Sequence, residues 1–474
     1  MNKIYSIITA GLLCILATGC KKSFLDLAPI SNSNASNFYK TQADFDLAVN
    51  AAYATLYVFF APQSGVSYFS EQMSDNATIY NVNGIQADKK AFKDFTLNSS
   101  NSQVYLFWQQ SYRSLFNINI VLDNIDAANI DAGYKEQVKA QMRFLRGMYY
   151  FYMVQMWGDL PLVTKTLTAD ESYTVLRSPK AAIYAQVISD LQFASATLPL
   201  ASAITEPGHA SKGAAQALLG KVYLTMGDKT QAATALQQVV TSGQYSLLPQ
   251  YSSLWIVTNK NTKESIFEIQ FKGGAAGVPL SDYYPEYVPY ENFSITLYAG
   301  GMNQVTDDLY NEFEGTDPRR NITISLGYNN KAGVFIPIKY PIKWTDVNAP
   351  IINSREASAN NFMVLRYADV LLLLTEATGE PSYLNQVRAR AGVALYGAAG
   401  YPSTTYPTLD LAVEHERRVE LAIEFQRGFD LRRTNRALQV LSAKGKPVTE
   451  QKLLLPVPEI VRQQNSAITQ NPGY

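Results

Sequence analysis

The sequence predicts a mainly α protein, an α-solenoid of about four stacked tetratricopeptide-like helix pairs with an irregular insert of loops and short strands. Three observations lead there. Residues 212–240 carry the spacing of two short helices folded back on each other. Apolar residues recur at intervals of three and four over much of 41–244 and again over 361–443, whereas 245–360 loses that period and fills with proline, glycine and tyrosine. A single helix pair cannot bury its apolar face alone, so such pairs must stack.

The chain opens with a basic Lys3 and a mostly apolar run from Ile4 to Thr18, the layout of a secretory signal peptide and too short to span a bilayer. Leu16-Ala17-Thr18-Gly19-Cys20 resembles the bacterial lipobox, with Ala17 where the usual motif has Leu, and this marks Cys20 as the lipidated first residue of the mature chain. Cys14 and Cys20 are the only cysteines, so the mature chain has no thiol pair for a disulfide. The expected organisation is a signal peptide over 1–19, a lipidated N-terminus and tether over 20–40, and one domain over 41–474. Extended, Lys21 to Asn37 reaches at most about 60 Å.

Thr41 is placed to cap a helix with Phe45, Val49, Ala52, Leu56 and Phe59 on one face, ended by Pro62. A polar, loop-like stretch from Gln63 to Ser102 follows. Helical spacing returns with Val104, Phe107, Ser111, Leu115, Ile118, Leu122 and Ile125, then with Val138, Met142, Leu145, Tyr149, Tyr152 and Met156 up to Gly158 and Pro161. Ser178-Pro179 opens a helix with Ile183, Val187, Leu191, Ala194 and Leu198 inward. In the central hairpin Leu219-Gly220, Tyr223, Ala232 and Leu236 follow the tetratricopeptide consensus, and Gly227-Asp228 makes the turn. Gln216 and Gln244 stand where that consensus has Trp and Pro, so the repeat is degenerate. The lobe 245–360 holds β-prone pieces such as Ser265 to Phe271. Helices are expected again over Met363 to Ala377, Ser382 to Ala391, Asp410 to Gln426 and Arg433 to Ala443.

With 474 residues, 47% hydrophobic and 17% charged, the chain can bury a large core. Lys+Arg and Asp+Glu both number 40, so nothing in the balance points to nucleic acid. The two histidines, His209 and His415, lie far apart, and no zinc-protease helix, G-x-S-x-G or phosphate-binding loop is present. Neither a metal nor a cofactor is expected. Glu416, Glu420 and Glu424 recur every four residues, and paired carboxylates are what glycoside hydrolysis requires. Arg417 and Arg418 beside Glu414, and Arg427 after Glu424, favour ion-paired helix structure instead. Asp369 and Glu376 sit in an apolar helix and need partners, Arg366 or an arginine from Arg388 to Arg433. The 31 tyrosines outnumber the 21 phenylalanines, and Tyr offers a flat apolar face with a polar tip to a wet binding surface.

The second helical block carries a family resemblance. Asn361 to Leu372, Leu384 to Gly392, Glu416 to Ala422, Arg427 to Arg433, Leu453 to Pro458 and Gln470 to Tyr474 resemble the SusD/RagB family of Bacteroidetes surface lipoproteins, and Cys20 to Asp26, Arg143 to Gly147 and Tyr149 to Pro161 match as well. The resemblance implies four tetratricopeptide-like helix pairs supporting a variable ligand-binding face. It implies an outer-membrane, lipid-anchored, cell-surface protein that is not an enzyme, binds oligosaccharide or polysaccharide and caps a SusC-like TonB-dependent β-barrel transporter. The turn near Thr378 to Ser382 is shorter than usual for the family, and the acidic pair after Cys20 is missing. The expected ligand groups are the loop residues Asp75, Asn76, Tyr80 and Asn83, with Tyr283, Tyr284, Tyr287, Tyr290, Tyr298 and Trp344 of the insert. A peptide-binding scaffold and a secreted glycoside hydrolase are the alternative readings.

Overall fold

A computed structural model of the chain describes residues 38–79, 87–289 and 298–474. The predicted signal peptide, Cys20 and the tether up to residue 37 lie outside the described residues, as do Tyr80, Asn83 and Tyr290.

Among the described residues, eight helices run in four successive pairs: α1 (Gln42–Ala54) with α2 (Ser102–Ile125), α3 (Ala132–Trp157) with α4 (Lys180–Thr197), α5 (Lys212–Thr225) with α6 (Lys229–Thr241), and α7 (Tyr367–Thr378) with α8 (Pro381–Ala391). Each pair also packs on the next, α2 on α3, α4 on α5 and α6 on α7, so the apolar stripes close into one continuous core. The ends follow local chemistry. The Thr41 hydroxyl accepts from the Asp44 N–H while the Asp44 carboxylate accepts from the Thr41 N–H at 2.8 Å, a capping box. Gly158 at φ 73° stops α3. Between α5 and α6 a Cβ on Gly220 would run into the Leu236 side chain, so only glycine allows this approach. Gly379 at φ 75° and Pro381 at the first turn of α8 make the short turn between the last pair.

Three helices expected in the second block come out differently. Helix α7 starts at Tyr367, not Met363, because Phe362–Arg366 is a strand pairing antiparallel with Ser265–Ile269. All five of its residues are buried, and a fully buried strand shows the same unbroken apolar run as a buried helix. The helix expected over 410–426 is α9 (Leu409–Glu420) and then stops. Ile423 and Phe425 take φ of 63° and 60°, a region disfavoured for bulky side chains, and the turn is held by donors from elsewhere. The Glu420 carbonyl accepts from Arg366 Nη2 at 2.6 Å, the Ala422 carbonyl from Lys343 Nζ at 2.9 Å, and the Phe425 N–H donates to the Glu71 carboxylate at 2.8 Å. The chain resumes as α10 (Arg427–Arg433), and the helix expected over Arg433 to Ala443 is shorter, Ala437–Ala443, because Arg433 ends α10.

The lobe between α6 and α7 is irregular, as expected. Besides Ser265–Ile269 it contains two-residue strand pairs and short helices such as Tyr283–Tyr287.

Candidate ligand-binding face

The lobe is fastened to the helical scaffold by buried charge. Arg319 is fully buried and donates to Glu416 at 2.5 Å, Glu420 at 2.7 Å and Asp317 at 2.7 Å. Arg366 pairs with Glu264 at 3.0 Å, Glu420 at 2.5 Å and Glu424 at 2.7 Å, and Lys343 reaches Glu424 at 2.7 Å while its ammonium sits 4.3 Å from the Trp255 ring centroid. Arg390 adds bonds to Glu264 and Glu420. Lys221 of α5 and Arg417 of α9 share Asp369 of α7, at 3.0 and 2.6 Å, and Arg433 takes Glu376. The glutamates spaced by four are therefore structural, at most 3% exposed and each held by a cation. Their partners are tertiary rather than along the helix. Glu414 pairs with Arg427 and Arg436, not with Arg417 or Arg418, and Glu424 with Arg366 and Lys343, not with Arg427. A charge buried this deeply is retained only when paired.

The same burial removes most of the expected ligand groups from that role. Asp75 is 2% exposed and clasped by Arg427 at 2.7 Å and Arg418 at 3.1 Å; burial pushes its pKa up, but the two guanidiniums outweigh it and hold the carboxyl well below its usual range. Asn76, 1% exposed, accepts from Arg418. Tyr283, Tyr284, Tyr287 and Trp344 are all at most 3% exposed. Tyr283 stacks on Phe362 at 4.9 Å and on Trp344 at 5.5 Å, and Tyr287 meets Trp344 edge-on at 5.3 Å. Tyr283, Tyr287 and Trp344 belong to the main core and Tyr284 to a small cluster with Val288, Tyr328 and Tyr340, so their faces are already covered. Irregular backbone gave no stripe by which sequence could tell a core ring from a surface one.

Of the described members of the expected set, Tyr298 alone reaches solvent, at 37% exposure. Its ring lies 4.4 Å from the Arg355 guanidinium carbon, a cation–π contact. Arg355 donates to Glu286 at 2.6 Å and pairs with Asp282 at 3.3 Å. It is presented by a tight hairpin, Ile351–Ile352 against Arg355–Glu356, whose corner residues Asn353 and Ser354 both have positive φ. Burial raises the Glu286 carboxyl despite Arg355, and burial with Glu286 nearby pushes the Tyr298 hydroxyl up to about 12. Gln63, near Glu286, accepts from Lys89 Nζ at 2.5 Å. Segments far apart in sequence thus gather amide, guanidinium, ammonium and carboxylate groups around one partly open aromatic ring. Hydroxyl-rich ligands need that combination, donors and acceptors at the rim and an apolar face between them. Gln63, Lys89, Asp282, Glu286 and Arg355 were not foreseen; the Asn-Ser corner between two β-prone pairs was the one readable signal, for Arg355.

Among the described residues no three His, Cys, Asp or Glu side chains are grouped to hold a metal ion, and no helix is long and apolar enough to cross a membrane.

Comparison with known proteins agrees with this architecture. Residues 23–224 match the family described as "Starch-binding associating with outer membrane", and residues 293–474 match the SusD family. SusD-like protein P2 of Formosa agariphila is 28% identical, over 98% of this chain and 99% of its own. A solved structure titled laminarin binding SusD-like protein superposes with a TM-score of 0.79 at 29% identity, covering 92% of this chain and all of that one. A SusD superfamily protein from Parabacteroides distasonis gives 0.77 at 26% identity over 91% of this chain and 99% of its own. With family matches at both ends of one continuous helical-repeat scaffold, the chain belongs to the SusD/RagB family.

Proposed function

We propose that this protein is a cell-surface lipoprotein, anchored in the outer membrane through Cys20 after removal of residues 1–19, that binds oligosaccharide and passes it unaltered to a SusC-like TonB-dependent transporter. The observation that carries the binding role is the Tyr298–Arg355 patch on a scaffold whose relatives include a laminarin-binding protein. Capture and hand-over require weak, reversible binding, and the patch is suited to it. A stacked ring contributes about 0.5–1.5 kcal/mol, and a millimolar complex needs about 4 kcal/mol, so the ring and the polar groups beside it must act together. A binding role rather than catalysis is supported by the three spaced glutamates, which are sealed in ion pairs away from solvent.

The test is titration calorimetry of the mature protein against a panel of β-glucan, α-glucan, fructan and mannan oligosaccharides, repeated with Tyr298→Ala and Arg355→Ala. Each variant is expected to weaken the bound glycan about 3- to 10-fold, from the stacking contribution above. Shortened sugars in the calorimeter cell, or affinity unchanged in both variants, would defeat the reading.

A further inference from the structure

Helix α2 carries two stripes. Val104, Phe107, Ser111, Leu115 and Ile118 are buried in the core, and one residue round the helix Tyr105, Trp108, Tyr112 and Phe116 form a second. Their spacings of three, four and four place four aromatic side chains in a row about 16 Å long. A second buried face would be unremarkable, but this one borders a cleft of about 400 Å³ between α2, the Pro161–Val175 segment and the C-terminal helix Glu459–Gln464. Trp108 forms its floor, 5% exposed, edge-on to Trp157 at 5.4 Å and 5.1 Å from Tyr112. Phe116, 46% exposed, and Tyr173, 52% exposed, both line it and leave ring surface open to water.

Rings this large are seldom left wet without a use, and small-ligand sites combine such a volume with mostly apolar walls and a few polar groups. Here the polar lining includes the neutral amides of Gln109 and Gln464, both exposed, and Lys165 is the one charged residue among the described lining. Among the described residues no carboxylate lines the cleft, and Lys165 is shared with Glu171 at 3.4 Å. An ionic ligand would find little to pair with; a neutral one with apolar faces and hydroxyl edges fits.

We infer that this cleft is a second saccharide site, distinct from the Tyr298 patch, in which pyranose rings stack along the Tyr105-Trp108-Tyr112-Phe116 row. Its consequence is bivalency. A long glycan chain can engage both sites and gain affinity by effective concentration, whereas a short oligosaccharide gains nothing from the second site.

The test uses the mature protein in native gels containing laminarin, starch, inulin or mannan, with the Phe116→Ala/Tyr173→Ala and Tyr298→Ala/Arg355→Ala double variants compared on whichever polymer retards the wild type. Phe116 and Tyr173 are exposed, so melting temperature should not change and checks folding. The inference expects the cleft variant to bind the polymer about tenfold or more weakly, from two lost stacking contacts, and to bind a trisaccharide of the same linkage less than threefold differently. Unchanged polymer retardation in the cleft variant overturns the second site while leaving the Tyr298 reading intact, and loss in the cleft variant alone does the reverse. No retardation of the wild type by any polymer overturns both. Loss of a co-purifying outer-membrane protein with glycan retardation unchanged would mark the cleft as a protein contact and overturn the inference.

Discussion

Replacing Arg366 with methionine tests whether buried charge fastens the lobe to the scaffold. Arg366 is 2% exposed and donates to three carboxylates and to the Glu420 carbonyl. Without it Glu264 keeps Arg390, Glu420 keeps Arg319 and Arg390, and Glu424 keeps Lys343. Every carboxylate stays bonded, yet the cluster gains an uncompensated negative charge and the Glu420 carbonyl loses a donor at a helix end. Breaking a buried ion pair from one side costs about 3–5 kcal/mol. For 474 residues the unfolding entropy is about 1 kcal/mol/K at roughly 2 cal/mol/K per residue, so the melting temperature should fall by about 3–5 °C. Differential scanning calorimetry at pH 7 measures this, with Lys165→Met as control. The Lys165–Glu171 pair is 65% and 47% exposed at 3.4 Å, and its loss should move the melt by less than about 1 °C. If Arg366→Met melts within about 1 °C of wild type, the network is not what holds the lobe.

Two further predictions concern pH. Glu71 is fully buried, and burial raises its carboxyl to about 7 despite the Phe425 N–H it accepts. An acid raised in the folded state makes stability fall as pH climbs from its ordinary 4.5 to about 7, by roughly 3 kcal/mol at 1.36 kcal/mol per unit; Glu71→Gln should therefore melt above wild type at pH 8 and level with it near pH 4.5, and equal melting at pH 8 would show the carboxylate costs nothing. His415 is buried, which alone would lower its pKa, but Glu312 at 2.9 Å and Glu314 at 3.4 Å raise it, with Glu416 adding to the same effect. A raised histidine contributes fully below its unfolded value of 6.5 and loses that contribution as pH rises through the folded value, so His415→Gln should cost more at pH 6 than at pH 9. A gap in melting temperature that widens with pH would contradict it.

What sequence revealed and what it hid divide along a physical line. Helices report themselves through period, and the buried stripe of α2, the Thr41 cap, the Gly158 stop and the Gly227 turn were all readable because each depends on residues within a turn or two. The strand Phe362–Arg366 was not, since burial on both faces erases alternation. Nor was the break after Glu420, because the groups that hold it, Lys343, Arg366 and Glu71, come from far away in the chain. The ligand groups were least legible. Tyr283 and Tyr298 stand in the same aperiodic stretch of sequence, yet one belongs to the core while the other meets water.

That difference bears on how one scaffold can present changing ligands. The charges that root the lobe sit on α5, α7, α8, α9, α10, the Phe362–Arg366 strand and the base of the lobe, and all but the half-buried Glu376, Arg390 and Arg433 are buried. Tyr298, Arg355 and Asp282 lie beyond them, partly exposed, with contacts among themselves and to the buried Glu286 rather than to the charges that root the lobe. Substituting Tyr298 therefore removes a ligand contact without unpairing a buried charge, whereas Arg355 is the cation held against the buried Glu286 carboxyl. Substituting Arg319 or Arg366 leaves the rim's composition intact but loosens its foundation, so it should lower affinity only where it also lowers the melting temperature. Measuring both quantities on Arg366→Met and Tyr298→Ala separates the two roles. If Tyr298→Ala unfolds the lobe as Arg366→Met is expected to, rim and root are one structure, and the ligand face cannot vary independently of the fold.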